Sequence, residues 1–116
     1  LSVKRLLMRG DNEQAITQLI NLSEQSPANY AAITELAWLY ETGLAVPRDL
    51  NKAAELFSIA AEAGNARAQY ALSVMYSTGA GKPVDAELSL QWLQKSAAQN
   101  YKPAVEQLAA TSEKDS

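Results

Sequence analysis

The protein has 116 residues, of which 47% are hydrophobic and 20% charged, and its formal net charge is −3. This length fits one domain with its own core, and the acidic balance disfavours nucleic acid and anionic membrane surfaces as partners. The chain contains no cysteine and no histidine, which excludes disulfides, cysteine nucleophiles, histidine bases and almost all zinc chemistry.

The first 30 residues predict a short helix that ends at Gly10 and a second helix that starts near Asp11, which with Gln14 resembles a capping box. The sequence has no run of about 18 apolar residues, so we expect no membrane span. It begins with Leu1 rather than methionine, and we therefore expect it to be an excerpt of a longer chain. In the N-terminal region, the helix that starts near Asp11 has an apolar face that comprises Ala15, Ile16, Leu19 and Leu22.

A 36-residue repeat organises the rest of the chain, because residues 31–66 align with residues 67–102 without a gap. The shared residues are small, apolar or turn-forming, and such residues decide helix packing and chain reversal. Eight aligned positions are identical: Ala32/Ala68, Leu36/Leu72, Tyr40/Tyr76, Thr42/Thr78, Gly43/Gly79, Pro47/Pro83, Asp49/Asp85 and Ala61/Ala97.

Each repeat unit predicts two antiparallel helices. In the first unit, Ser26 is the expected N-cap of a helix over about 27–42, which Gly43 ends. Asp49 then caps a second helix that runs to Ala63.

The second unit repeats this plan and leads into a last helix. Its expected elements are a helix from Asn65 or Ala66 to Gly79, a helix from Asp85 to Gln99 that Asn100 ends, and a helix from Pro103 to about Ala110. We therefore expect one all-α domain over 1–110, an α/α superhelix (solenoid) of antiparallel helix pairs with about seven helices. Its parts are 1–30, 31–66, 67–102 and 103–110, and the polar tail 111–116 is expected to be disordered.

This pattern resembles the Sel1-like repeat. The second unit carries the resemblance in Ala68, Leu72, Met75, Tyr76, Gly79, Gly81, Asp85, Trp92 and 95–97, and the first unit in Leu36, Leu39, Tyr40, Gly43, Val46, Asp49, Lys52, Ala53, Ala60 and Ala61. It covers residues 31–108, while residues 10–27 more weakly resemble the second helix of a tetratricopeptide repeat. Two positions depart from the pattern: Ala45 stands where the family usually has a second turn glycine, and Lys82 replaces a usual valine.

The resemblance implies a right-handed α/α superhelix that serves as an adaptor in protein complexes. Many bacterial members of the family are periplasmic or secreted and act in envelope assembly or signalling. The resemblance therefore slightly favours a periplasmic or secreted location over the cytoplasm.

No constellation of residues predicts catalysis. Glu35 and Glu41 are six residues apart, a poor same-face spacing in a helix, and we interpret them as solvated surface charge. The glycine-rich segment 79–82 precedes a helix, but a phosphate-binding loop would need a preceding strand and a full motif. We therefore predict no enzyme activity, no cofactor and no metal.

The aromatic residues separate into a structural set and one candidate for binding. Phe57 and Trp92 lie at apolar positions of the repeat, and Tyr40 and Tyr76 recur in register, so these four are predicted to be structural. Trp38 aligns with a valine, so the repeat does not require an aromatic ring there. It is either an interface anchor or a residue packed against the N-terminal helices.

The leading hypothesis is a non-catalytic protein- or peptide-binding adaptor that uses the concave face of the repeats. The alternatives are an envelope glycan- or peptidoglycan-binding module and a structural spacer within a larger repeat protein. We expect a protein or peptide partner, no nucleic acid and no membrane insertion. The first helix of each pair lines the concave face in tetratricopeptide-like stacking, and the predicted partner-binding stripe comprises Thr34, Trp38, Glu41, Tyr70, Val74, Ser77 and Glu106.

Overall fold

The computed structural model of the protein describes residues 12–23 and 29–115, and these form six helices and no strand. The predicted all-α class is confirmed. The predicted short helix that ends at Gly10, and the capping residue Asp11, lie outside the described residues. The helices are α1 (Asn12–Ser23), α2 (Tyr30–Thr42), α3 (Leu50–Glu62), α4 (Ala66–Thr78), α5 (Ala86–Ala98) and α6 (Lys102–Asp115).

Four helices begin after a side chain that caps their first turn. In each, a side-chain oxygen accepts a hydrogen bond from the backbone N–H three residues on, at 2.9–3.1 Å, which satisfies a donor the helix itself leaves unpaired. Helix α2 therefore begins at Tyr30 rather than near residue 27, and its N-cap is Asn29; the predicted cap Ser26 lies outside the described residues. The caps are Asn29, Asp49, Asn65 and Asp85.

Both repeats reverse the chain through the same hydrogen bonds. Gly43 and Gly79 adopt the left-handed conformation at the ends of α2 and α4, and each donates its N–H to a carbonyl of the last turn, at 2.8 and 2.9 Å. The N–H groups of Asp49 and Asp85 then donate to a tyrosine carbonyl of the preceding helix, at 2.9 Å in both turns. The predicted helix stops and chain reversals are thus confirmed.

The two turns differ at the aligned positions Ala45 and Gly81. Gly81 has a positive φ of 79°. Ala45 does not have a positive φ, because Asn100 is the one non-glycine residue with that conformation in the described part of the chain. A Cβ atom on Gly81 would lie 2.5 Å from the carbonyl oxygen of Leu50. The second turn therefore packs directly on the start of α3, and only glycine allows that approach.

Helix α6 extends to Asp115, whereas the sequence predicted a helix end near Ala110 and a disordered tail over 111–116. The predicted boundary was placed too early. Beyond Pro103, in the first turn, the helix contains no glycine or proline that would stop it. The hydroxyl of Thr111 also donates to the carbonyl oxygen of Gln107 at 3.0 Å, within the helix.

Two clusters of buried side chains hold the helices together. One joins α1 to α2 and consists of Leu19, Ala32, Leu36 and Leu39. The other joins α2, α3 and α4 around Phe57 and Leu72, each 1% exposed, with alanines that let the helices approach closely. The predicted core position of Phe57 is confirmed, whereas Trp92 packs against this cluster but is only partly buried.

Polar side chains also tie neighbouring helices together. The buried hydroxyl of Ser96 in α5 donates to the carbonyl oxygen of Ala66 in α4 at 2.8 Å, and the buried Gln69 donates to the carbonyl oxygen of Ala61 at 3.1 Å. Each helix packs against its neighbours in sequence, and the principal extents are 49 × 25 × 25 Å. The result is a short solenoid in which α2, α4 and α6 are the first helices of successive units.

Candidate functional site

The predicted stripe on α2 and α4 lines two cavities that share residues. Trp38, Glu41, Tyr70 and Val74 line a cavity of about 370 Å³. Tyr70 and Val74, now with Ser77, also line a second cavity of about 580 Å³. Five of the seven predicted residues therefore line two adjacent cavities, here together called the groove, and Tyr70 and Val74 belong to both linings.

The other two predicted residues do not line this groove. Thr34 is 1% exposed, and its hydroxyl proton is donated within α2, to the carbonyl oxygen of Tyr30 at 2.8 Å. The expectation that Thr34 contacts a partner is therefore corrected. Glu106 is exposed on α6 but is not among the residues that line either cavity.

Trp38 combines the two roles that the sequence left open. It is partly buried and packs against both core clusters, including the one that contains Leu19 of α1. Its remaining surface faces the smaller cavity. Trp38 is therefore both a packing residue and a wall of the groove.

Two residues of the smaller cavity were missed by sequence reasoning. Arg67 lies in the first turn of α4, three residues before Tyr70, and it departs from the repeat because its counterpart is Ala31. Both the helical spacing and that departure were available as signals. Tyr101 precedes α6, outside helical spacing, and its ring centroid lies 5.7 Å from that of Tyr70. No local pattern would have found it.

The sequence suggested that the acidic residues near the groove, Glu35 and Glu41, are solvated surface charge, but both interact with arginines. The Glu35 carboxylate accepts a hydrogen bond from the Arg67 guanidinium at 2.8 Å, and this ion pair joins the first helices of the two repeats. Burial raises the pKa of the Glu41 carboxyl, while the positive charges of Arg67 and then Arg48 partly offset that effect. The groove therefore contains a half-buried acid beside an internal ion pair.

The second cavity has no charged residue in its lining and lies towards α5 and α6. Its lining includes Val74, Val84 and Leu90, which are 40%, 67% and 40% exposed. Gln107 and Thr111 of α6 close its far side with polar groups. An apolar cavity with a few polar groups at its edge is the usual composition of a ligand or peptide site.

The described residues offer little to support other kinds of site. They contain no cluster of three or more acidic residues that could hold a metal ion. None of their helices is long and apolar enough to cross a membrane. The glycine-rich segment 79–82 forms the turn that packs on α3, with the Lys82 ammonium 6.0 Å from the centroid of the Tyr76 ring.

The two matched helix pairs and the groove along their first helices define a helical-repeat protein of the solenoid class. The family described as the Sel1 repeat matches residues 31–65 and 66–101, and the chain belongs to that family. Its members are generally non-catalytic scaffolds for interactions between proteins. The resemblance seen in the sequence is thereby confirmed.

Two solved bacterial structures are similar to this chain. A Sel1 repeat protein from Oxalobacter formigenes is 29% identical, with a TM-score of 0.77 over 88% of this chain and 41% of that chain. A protective antigen of uropathogenic Escherichia coli with an SLR fold is 25% identical, with a TM-score of 0.76 over 82% of this chain and 20% of that chain. This chain thus spans less than half the length of either protein. No curated protein matches its sequence.

Proposed function

We propose that the protein is a non-catalytic adaptor that binds a protein or peptide segment in the groove lined by residues of α2, α4, α5 and α6. The observation that carries this proposal is that two adjacent cavities share Tyr70 and Val74 in their linings. An extended segment lying along the groove would pass from a part with aromatic and charged residues to an uncharged part. Membership of the Sel1 repeat family supports the same role.

The residue types in the groove suit protein recognition. Trp, Tyr and Arg dominate the binding energy of protein interfaces, because they combine a large contact area with directional hydrogen bonds. Trp38, Arg67, Tyr70 and Tyr101 surround the smaller cavity. A rigid helical frame holds these side chains in place before a partner arrives, which lowers the entropic cost of binding.

A matched pair of surface substitutions tests this proposal. Val74 lies in the groove and is 40% exposed, while Ile59 lies on α3 and is 49% exposed. Val74→Lys places a charged side chain at a residue that lines both cavities. Ile59→Lys makes the same kind of change on α3, at a residue that lines neither cavity. Both side chains are already partly in water, so neither change should prevent folding.

The assay starts from a displayed random-peptide library selected on the wild-type protein. Affinities of the selected peptides are then measured by fluorescence anisotropy on both variants, after circular dichroism has shown equal helicity. We expect Val74→Lys to weaken binding at least about tenfold and Ile59→Lys to change it less than about twofold. Peptides that bind both variants equally would overturn the proposal, and so would a selection that enriches none.

Truncation of Trp38 is a less clean test of this proposal than Val74→Lys. Trp38 packs against both core clusters, so Trp38→Ala is expected to lower stability as well as affinity. Val74→Lys avoids this coupling. Peptidoglycan fragments that bind the wild type but not Val74→Lys would instead favour the glycan-binding alternative.

A further inference from the structure

The two cavities of the groove lie at equivalent places in successive repeat units. Four residues that line the smaller cavity have their counterparts, 36 residues further on, in the lining of the larger cavity. These aligned pairs are Trp38/Val74, Glu41/Ser77, Phe57/Leu93 and Ala71/Gln107. The cavities are therefore one feature of the repeat, formed once in each unit, and the residues that differ between them show what the second unit changes.

The second unit has smaller side chains at this place. A valine aligns with Trp38 and a leucine with Phe57, and the cavity has a volume of about 580 Å³ in the second unit against about 370 Å³ in the first. The Trp38 ring packs against both core clusters, whereas Val74 is 40% exposed. The first unit thus places a large ring of its own here, and the second unit leaves more of the space open.

The second unit also removes the charges that accompany this place in the first. In the first unit, the Nε atom of Arg48 donates to the carbonyl oxygen of Glu41 at 3.0 Å. Their counterparts are Val84 and Ser77, and none of the residues that line the larger cavity is charged. A charged group that entered this cavity would lose water without meeting an opposite charge, which is costly. The lining therefore favours an uncharged occupant.

Branched apolar side chains of the larger cavity remain open to water. Val84 and Leu90 are 67% and 40% exposed, and with Val74 they lie in one lining. Two polar groups among them are engaged within the fold, because the hydroxyls of Ser73 and Ser89 each donate to a backbone carbonyl oxygen at 2.7 Å. Exposed apolar side chains that lie together are typical of an interaction site, since covering them removes their surface from water.

We infer that the larger cavity binds one large apolar side chain of the partner polypeptide, in the position equivalent to that of Trp38 in the first unit. This inference rests on the proposed function, since it names the residue that anchors the bound segment. Leucine, methionine, phenylalanine and tryptophan are the side chains that match an uncharged lining of this size. Ligand cavities have volumes of roughly 300–1,000 Å³, so about 580 Å³ holds a whole side chain of this kind.

Two substitutions place residues of the first unit at the aligned positions of the second, where the repeat already accommodates them. Val74→Trp fills the cavity with a ring, and Val84→Arg adds a charge at a residue that lines the larger cavity and not the smaller one. Ile59→Trp and Leu44→Arg are the matched controls. Ile59 and Leu44 are 49% and 63% exposed and line neither cavity.

The probes are the peptides selected on the wild-type protein from the displayed random library, resynthesised with alanine at each position in turn. Fluorescence anisotropy measures their affinities for the wild type and the four variants, after circular dichroism has shown equal helicity. We expect the selected peptides to share one large apolar position. Alanine at that position should weaken binding to the wild type at least about tenfold, because it gives up the burial of a large apolar side chain.

The variants locate that side chain in the larger cavity. Val74→Trp and Val84→Arg should each weaken the parent peptides at least about tenfold, and the alanine peptide should lose little more, because both changes remove the same contact. Ile59→Trp and Leu44→Arg should stay within about twofold of the wild type. The alanine series on the wild type tests the inference even where a variant loses helicity.

Three results separate this inference from the proposed function. Peptides that Val74→Lys weakens but that share no large apolar position would refute the anchor and leave the proposed function standing. Losses from Val84→Arg and from the alanine peptide that simply multiply would place the anchor outside the larger cavity and refute the inference in the same way. Binding that ignores Val74→Lys would overturn the proposed function together with this inference.

Discussion

The Gly81→Ala substitution is expected to destabilise the protein more than Gly64→Ala does. Both glycines have positive φ, 79° and 101°, so both changes force an L-residue into an unfavourable conformation at a cost of about 1–2 kcal/mol. Their surroundings differ. A Cβ atom at Gly64 would have no atom within 4 Å, whereas a Cβ at Gly81 would lie 2.5 Å from the carbonyl oxygen of Leu50.

The steric part of the cost comes from the contact between the second turn and α3. The carbonyl oxygen of Leu50 lies in the first turn of that helix, where helical hydrogen bonding fixes its position. The Cβ of Ala54, 3.3 Å from the added methyl group, closes the other side. The turn that carries Gly81 must therefore move away from α3, and overpacking of this kind costs a further 1–3 kcal/mol or so.

Urea unfolding followed by circular dichroism measures the difference between the two variants. Gly81→Ala should lower the free energy of unfolding by about 2–5 kcal/mol, against about 1–2 kcal/mol for Gly64→Ala. An excess of about 2 kcal/mol lowers the midpoint by roughly 0.7–2 M, because m-values of small proteins are about 1–3 kcal/mol per molar. Equal midpoints for the two variants would refute the close contact between the second turn and α3.

Two further substitutions test the core and the groove. Leu72→Ala should lower the free energy of unfolding by about 2–5 kcal/mol, because Leu72 is 1% exposed. Leu44 is 63% exposed, so Leu44→Ala should change the free energy of unfolding by less than about 0.5 kcal/mol. Equal melting temperatures of the two variants would contradict the packing register. Glu41→Gln should stabilise the protein at neutral pH, because burial raises the pKa of Glu41 and the folded state therefore binds its proton more tightly than the unfolded chain. The stability that Glu41 contributes is complete below its ordinary pKa of 4.5 and is lost as the pH rises through its raised pKa. Urea unfolding at acidic and at neutral pH should therefore show that glutamine stabilises the protein at neutral pH alone. A lower stability of Glu41→Gln at neutral pH would contradict the reasoning.

Helical spacing is a local property, so the sequence alone places the predicted residues of each helix on a common face. Trp38 and Glu41 lie three residues apart on α2, and Tyr70 and Val74 four residues apart on α4, so each pair shares a helix face. The same spacing failed for Thr34, which is buried with its hydroxyl bonded inside α2. Spacing assigns a face, but what lies opposite that face decides whether a side chain is exposed.

The residues that complete the smaller cavity show what spacing along one helix leaves out. Arg67 pairs with Glu35 across 32 residues of sequence, and this contact exists because the stacking of the repeats brings α2 beside α4. Tyr101 lies outside any helix, yet its ring packs beside that of Tyr70. Both contacts depend on distances between helices that no window of sequence contains.

By itself, the sequence determined the repeat frame of this protein. The 36-residue period can be read directly from the sequence. It repeats the caps Asp49 and Asp85 and the glycines that end α2 and α4, which act through hydrogen bonds within a few residues, so their roles can be predicted without the fold. The tertiary structure alone decided which parts of the predicted stripe form a groove. It joined Tyr70 and Val74 to two cavities and left a half-buried acid at Glu41, because burial and charge balance depend on how neighbouring helices stack.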